Sequence, residues 1–238
     1  MSKLTVTEAL NSLGLTRLTH FTPARSLWHI ARDGQILSSK DLADNAPDYF
    51  APTDVQRFDR HPDKVCCNFE YPNGYYLSFA QQASAFVNYP DWVCLLLDAE
   101  LLLRPGTLFS GCNAAKGSGA YLREGGQALL DCYAQVSHID SRWSRGPNHH
   151  PGAATDLQAE ALVPGPISVS HVRGVVVPHE ALARQLYGDL DRHGLGPQRF
   201  PWLIAEFFFD RNTLSSRVRY GGTMTETTWA QQVDQESS

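Results

Sequence analysis

Apolar and polar positions alternate with period two along Arg17-Leu18-Thr19-His20-Phe21-Thr22, which predicts a short strand carrying Leu18, His20 and Thr22 on one face. Pro23 follows at once. Thr22 as N-cap, Pro23 at the first helical position, the Leu27, Ile30, Ala31 stripe and Gly34 beyond the end predict a helix with both stops marked. Upstream, residues Thr7 to Leu13 read as a short helix capped by Thr7. From Ser38 to Pro62 the periodicity fades into Asp, Pro, Asn and Arg, the pattern of a long loop, and such loops are often functional. Strand-like runs follow at Lys64 to Phe69, Tyr75 to Phe79 and Trp92 to Asp98, with a turn at Pro72-Asn73-Gly74 and a short helix over Gln81 to Val87.

A second irregular region, Val136 to Asp156, precedes a strand over Leu157 to Val163. Ile167 to Val177, a helical stretch near Pro178 to Arg192, and late strands at Leu203 to Phe209 and Arg217 to Tyr220 complete the pattern. The order is mixed α+β. There is no internal repeat, so residues 1–230 are expected to form one domain and 231–238 a polar tail.

Composition narrows the function classes. The 238 residues are 42% hydrophobic and 19% charged with a net charge of -5, which suits a folded globular chain and argues against a general nucleic-acid coat. The longest purely apolar stretch, Trp92 to Leu97, is far shorter than a membrane helix, and the N-terminus lacks the apolar core of a secretory signal. A cytoplasmic location is expected. Five cysteines, an odd number with no C-x-x-C pair, read as buried thiols and give no zinc spacing. A G-x-G-x-x-G fingerprint and a P-loop are both missing, which disfavours a Rossmann dehydrogenase or a kinase. A cysteine hydrolase pairing Cys66 or Cys67 with His20 or His171 lacks any local signature around the thiol.

Two positions stand out chemically. His20 ends a strand between Thr19 and Thr22, and a strand histidine gains meaning only with a partner. Glu160 lies inside Leu157-Gln158-Ala159-Glu160-Ala161-Leu162-Val163, on the face of Gln158 and Leu162. Glutamate is depleted in strands and costly to bury alone, so Glu160 is either a charge on an exposed edge or a carboxylate aimed into a cleft.

Thr19-His20-Phe21-Thr22 before a Pro-started helix, the Arg-bearing loop, Asn113-Ala114-Ala115 and Gln158-Ala159-Glu160-Ala161-Leu162-Val163 together resemble the DarT family of DNA ADP-ribosyltransferase toxins, from about Leu15 to Val177. Phe69-Glu70-Tyr71-Pro72-Asn73 looks more like the DarT1 branch, associated with guanine, than like the thymidine-modifying branch. The resemblance implies an ADP-ribosyltransferase-like split mixed sheet with a central NAD cleft and peripheral helices. It implies transfer of ADP-ribose from NAD to a DNA base with release of nicotinamide, no metal, and an antitoxin with ADP-ribosyl-hydrolase activity such as a DarG-like macrodomain. Carried over, His20 would bond a ribose hydroxyl with Thr22 beside it, Glu160 would be the catalytic acid, and Arg57 or, preferably, Arg60 would sit near the phosphates. Asn113 and Gln158 would join the NAD contacts; Tyr76 or Phe79 would stack on nicotinamide, with no motif deciding between them. An enzyme of the same kind acting on protein or RNA, and a nucleotide-binding module without activity, are the competing readings.

Residues Lys116 to His150 hold four basic against three acidic side chains, with His138, His149 and His150 besides, in a chain that is acidic overall. Trp143 between Arg142 and Arg145, with His149 nearby, reads as a stacking platform flanked by phosphate contacts for single-stranded DNA.

Overall fold

The computed structural model describes residues 4–45, 58–83 and 90–231. The first helix, α1 (Val6–Leu13), is capped two residues earlier than its pattern predicts. Thr5 is its cap: the hydroxyl accepts from the Glu8 N–H and the Glu8 carboxylate accepts from the Thr5 N–H, a reciprocal box that Thr7 has no partner to build. Strand β1 (Arg17–Pro23) is as expected, except that Pro23 remains in it, in register with Trp92. Helix α2 (Ser26–Asp33) therefore starts later and without a side-chain cap, so Thr22 is a strand residue. Its predicted stop holds, with Gly34 in the left-handed conformation at φ 71°. After β2 (Gln35–Ile36), the predicted loop contains a short helix, α3 (Ser39–Asn45), led by a reciprocal bond pair between Ser38 and Asp41. Arg57 lies outside the described residues.

Strand β3 (Lys64–Phe69) matches its expectation, whereas Tyr75 to Phe79 is not a strand but part of helix α4 (Gly74–Gln82). Asn73 decides this, because its side chain accepts from the Tyr76 N–H at 3.0 Å and starts the helix. Leu77 and Ala80, three residues apart, are buried while Phe79 is exposed. Asn73→Ala should cost about 1 kcal/mol and lower the melting temperature by roughly 2–4 °C in a scanning calorimeter. The helix predicted over Gln81 to Val87 is only the end of α4, and residues 84–89 lie outside the described residues.

Strands β4 (Trp92–Asp98) and β5 (Leu108–Ser110) precede the short helix α5 (Gly126–Asp131) and the long irregular region. Then come β6 (Glu160–Pro164), β7 (Ile167–Ser168), β8 (Val172–Val177), α6 (Glu180–Arg192), β9 (Trp202–Ile204), α7 (Arg211–Tyr220) and β10 (Thr227–Trp229). Arg217 to Tyr220, read as a strand, is the last turn of α7, a helix capped by Asp210. The strand expected over Leu203 to Phe209 stops at Ile204, and a single 3-10 turn follows.

Eight strands form one sheet in the order β10-β9-β8-β4-β1-β3-β6-β5, antiparallel throughout except for the parallel pair β8 and β9. β2 and β7 pair separately. The architecture is α+β with a mixed sheet. β1 pairs with β4 along seven residues but with β3 only at Leu18–Phe69 and Thr19–Asn68, so the sheet opens between β1 and β3 just where His20 begins. One face packs Leu18, Leu95 and Val175 against α1, α2 and α6. The other packs Leu96 and Val176 against Leu214 and Val218 of α7.

The Arg17 guanidinium holds the segment before β10 in a two-pronged pair with Glu226, one prong at 2.7 Å, and also donates to the Glu70 carbonyl. Both outer strands are three residues long, and Arg123 exchanges two backbone hydrogen bonds with Phe109 beside β5. Among the described residues no helix is long and apolar enough to cross a membrane. None of the five cysteines forms a disulfide, and all but Cys66 are buried; burial pushes the Cys67 thiol up to about 12.

Candidate active site and nucleic-acid cleft

Glu160 is the first residue of β6, flanked by Asn68 of β3 and Ser110 of β5. Its side chain is buried, not an edge charge, and its Oε2 accepts the Ala114 N–H at 2.7 Å. That amide is aimed by its own turn: the Asn113 side chain accepts from the Ala115 N–H, and the Asn113 carbonyl from the Lys116 N–H. Asn68 ties the surroundings together. Its Nδ2 donates to the Ala159 carbonyl and its Oδ1 accepts from the Asn73 N–H, so one buried amide fixes the entry to β6 and the start of α4.

His20 occupies the opening between β1 and β3. Its Nδ1 lies 2.8 Å from the Cys66 carbonyl, which can only accept, so Nδ1 carries the proton and Nε2 is left as an acceptor. Burial lowers its pKa below the ordinary histidine value, against the opposing pull of the Cys66 carbonyl, so the ring is neutral at pH 7. Cys66 and Asn68 are two residues apart on β3, which thereby sets His20 and Glu160 in one frame. Thr22 is buried opposite Val93, two residues further along β1.

A cleft of about 730 Å³ brings Tyr76, Asn113 and Gln158, expected at NAD, together with Arg142 and Trp143, expected at the nucleic acid. Trp143 meets Tyr75 edge-on at 5.7 Å, and the Arg219 guanidinium lies over the Trp143 ring at 4.9 Å. Arg142 is exposed and paired with Asp140, whose carboxyl it holds down to about 2.

Arg145 and His149 are placed differently. The Arg145 guanidinium donates to the carbonyls of His150, Pro151 and Ala153, bracing the loop from within. His149 is buried against the Ala154 carbonyl, and burial, then Arg145, lowers its pKa to about 4. Both sit where the backbone of an irregular segment has no ladder to satisfy its carbonyls. Arg60 is exposed, with its backbone in the left-handed region at φ 64°.

Two cleft residues, Arg219 and Asp156, and Arg211 beside them escaped the sequence reading. Arg219 and Arg211, the latter with its guanidinium 5.5 Å from the Tyr75 ring, belong to α7, whose end resembles a strand when read as Arg217 to Tyr220. Asp156 lies four residues before Glu160 and is buried, and that burial pushes its carboxyl up to about 6 against the Gln158 N–H and Lys116. Its signal was only its closeness to the Gln158-Ala159-Glu160 run.

Residues 19–209 match the family described as "ssDNA thymidine ADP-ribosyltransferase, DarT". The chain belongs to the DarT family. Among solved structures it is similar to Thermus sp. 2.9 DarT in complex with ADP-ribosylated ssDNA, at 17% identity and TM-score 0.56, covering 87% of this chain and 100% of that one. The same protein in complex with NAD+ aligns at 16% identity and TM-score 0.52, over 82% of this chain and 97% of that one. Thermosipho africanus DarTG in complex with ADP-ribose aligns at 13% identity and TM-score 0.55, over 82% of this chain but 51% of that longer one. No curated protein matches. The likeness extends the mixed sheet described above to that of the DarT ADP-ribosyltransferases.

Proposed function

We propose that this chain transfers ADP-ribose from NAD to a base of single-stranded DNA, guanine in preference to thymine, and releases nicotinamide. The observation that carries the reading is the buried Glu160 carboxylate, held by the Ala114 amide, with Asn113 and Gln158 near them in sequence lining a cleft that also holds four aromatic rings and three cations. The residues fit the dinucleotide. Neutral His20 offers Nε2 to a ribose hydroxyl, Asn113 adds an amide, and Tyr76 and Phe79, with ring centres 6.0 Å apart, give the nicotinamide an aromatic wall. Arg60, with Arg57 as the alternative, is assigned to the phosphates.

NAD supplies an activated ribose, and breaking its bond to nicotinamide develops positive charge on the sugar. A carboxylate fixed beside that carbon stabilises the charge, and the same group can take the proton of the attacking base. Trp143 and Tyr75 stack the strand while Arg142 and Arg219 meet its phosphates. Arg145 and His149 are reassigned from contacting DNA to shaping the loop that presents Trp143. The likeness of Phe69-Glu70-Tyr71-Pro72-Asn73 to the guanine branch supports the choice of base. A cytoplasmic role as a toxin, restrained by an ADP-ribosyl-hydrolase antitoxin of the DarG kind, is part of the same reading and is supported by the family resemblance.

The test is intact-mass analysis of four single-stranded oligonucleotides, each carrying one reactive candidate base, after incubation with the protein and NAD. One added ADP-ribosyl group on the guanine strand is expected. An increment on the thymine strand alone would overturn the base, and none on any strand would overturn DNA as the acceptor.

A further inference from the structure

Asp156 is a buried carboxylate in the cleft wall that the chemistry above leaves unused. It is 2% exposed, and its Oδ1 accepts the Gln158 N–H at 2.9 Å, two residues before Glu160. Asp156 lines both a void of about 10 Å³, room for one water at most, which it shares with Phe69, Leu157, Leu214, Val218 and the polar Asn68 and Arg211, and the open cleft beside Gln158 and Trp143. The carboxylate is held in place by Gln158, through its N–H and its side chain, just before β6 begins.

Stacking on Trp143 and Tyr75 and pairing of phosphates with arginines grip any base alike, so selection requires a fixed hydrogen-bonding group at the base edge. We propose that Asp156 selects the base, its carboxylate receiving the N1–H and N2–H donors of a guanine presented to Glu160. This rests on the reading of the chain as a DNA ADP-ribosyltransferase. Of the four Watson–Crick edges only that of guanine offers two adjacent donors to a group that is acceptor-only. Thymine offers one N–H between two carbonyl oxygens, which a carboxylate repels. Adenine and cytosine each set one amine beside an acceptor nitrogen. A buried group left unpaired by the wrong base bears its desolvation cost, which is how polar sites reach discrimination of about 10⁴ or more.

The charged and titratable groups around Asp156 set its working range. Lys116 favours the ionised form and Asp140 opposes it, with the Cys112 thiol close by. With its carboxyl pushed up to about 6, Asp156 is an acceptor pair at pH 7.5, and guanine capture is lost as pH falls through 6, where protonation turns one acceptor into a donor.

The experiment uses two oligonucleotides identical but for a central guanine or adenine, with binding read by fluorescence anisotropy, transfer by intact mass and NAD affinity by calorimetry. Wild type should prefer the guanine strand by about tenfold or more, as a bidentate pair warrants. In Asp156→Asn that preference should collapse towards one and guanine modification should fall at least about 10², with NAD affinity unchanged. A folded, NAD-binding Asp156→Asn protein that keeps both would overturn the assignment. Should that variant not fold, the wild-type protein decides: replacing guanine by hypoxanthine, which lacks the N2 amine, should weaken binding about tenfold, and equal binding overturns the proposal. Wild type that modifies no strand overturns the DNA reading itself, whereas wild type active on DNA with a selective Asp156→Asn variant overturns this inference alone.

Discussion

Glu160→Gln should reduce ADP-ribosyl transfer by at least about 10² while the protein still folds and binds NAD, because only the charge is removed. Glutamine is the same size as glutamate, and its carbonyl oxygen can still accept the Ala114 N–H that now meets Oε2 at 2.7 Å. What it cannot do is place a full negative charge beside a ribose that becomes cationic as nicotinamide departs. The rate is measured as product mass against time at saturating NAD, with calorimetry on the same preparation. If initial rates match wild type, Glu160 has no part in the chemistry, and the proposed reaction loses its central residue. Expression gives a second readout, since an active base-modifying enzyme harms its host and the glutamine variant should not.

The second large effect is expected at Trp143→Ala. The ring carries the Arg219 guanidinium on one face and the edge contact with Tyr75, so its loss removes a stacking surface and the support of a phosphate-binding cation together. One stacked base contributes about 1–3 kcal/mol, so affinity for single-stranded DNA should fall roughly 5- to 150-fold. NAD affinity should stay as it is, since the ring contacts of Trp143 are with Tyr75 and Arg219, neither of which is assigned to NAD. Anisotropy with a labelled oligonucleotide and calorimetry with NAD separate the two effects. Equal losses in both would mean that Trp143 holds the fold and not the strand.

Strand β4 was legible because a buried central strand is apolar along its length, and β3 because Val65-Cys66-Cys67 sits between polar Lys64 and Asn68 ahead of the turn residues Pro72-Asn73-Gly74. Helix α4 was not. Tyr75, Tyr76 and Phe79 have strand propensity, and the opposing signal was a single polar side chain, Asn73, outside the aromatic run. The end of α7 failed for a related reason: four residues alternating charge and bulk fit a period of two as well as a helical turn. In the site, Glu160 was legible as a charge where a strand should be apolar. Arg145 and His149 were legible as polar but not as buried, since whether a side chain meets solvent or a carbonyl depends on how residues 136–156 coil, and no periodicity encodes that path. Asp156 was hidden by its type, because an aspartate in a loop is the commonest of surface residues until the fold closes over it.

The three-residue length of β5 and β10 bears on how the chain behaves in a crowded cell. An open strand edge is a template on which another molecule can add a strand, and long flat edges lead to aggregation. Here one end of the sheet offers only Leu108–Ser110, already covered by the backbone of Arg123, and the other only Thr227–Trp229, drawn in by the Arg17–Glu226 clamp. Intermolecular strand pairing has almost nothing to grasp at either end. Lengthening either edge strand with an alternating apolar segment should therefore create a template for pairing with a second copy, read as an increase in self-association by light scattering.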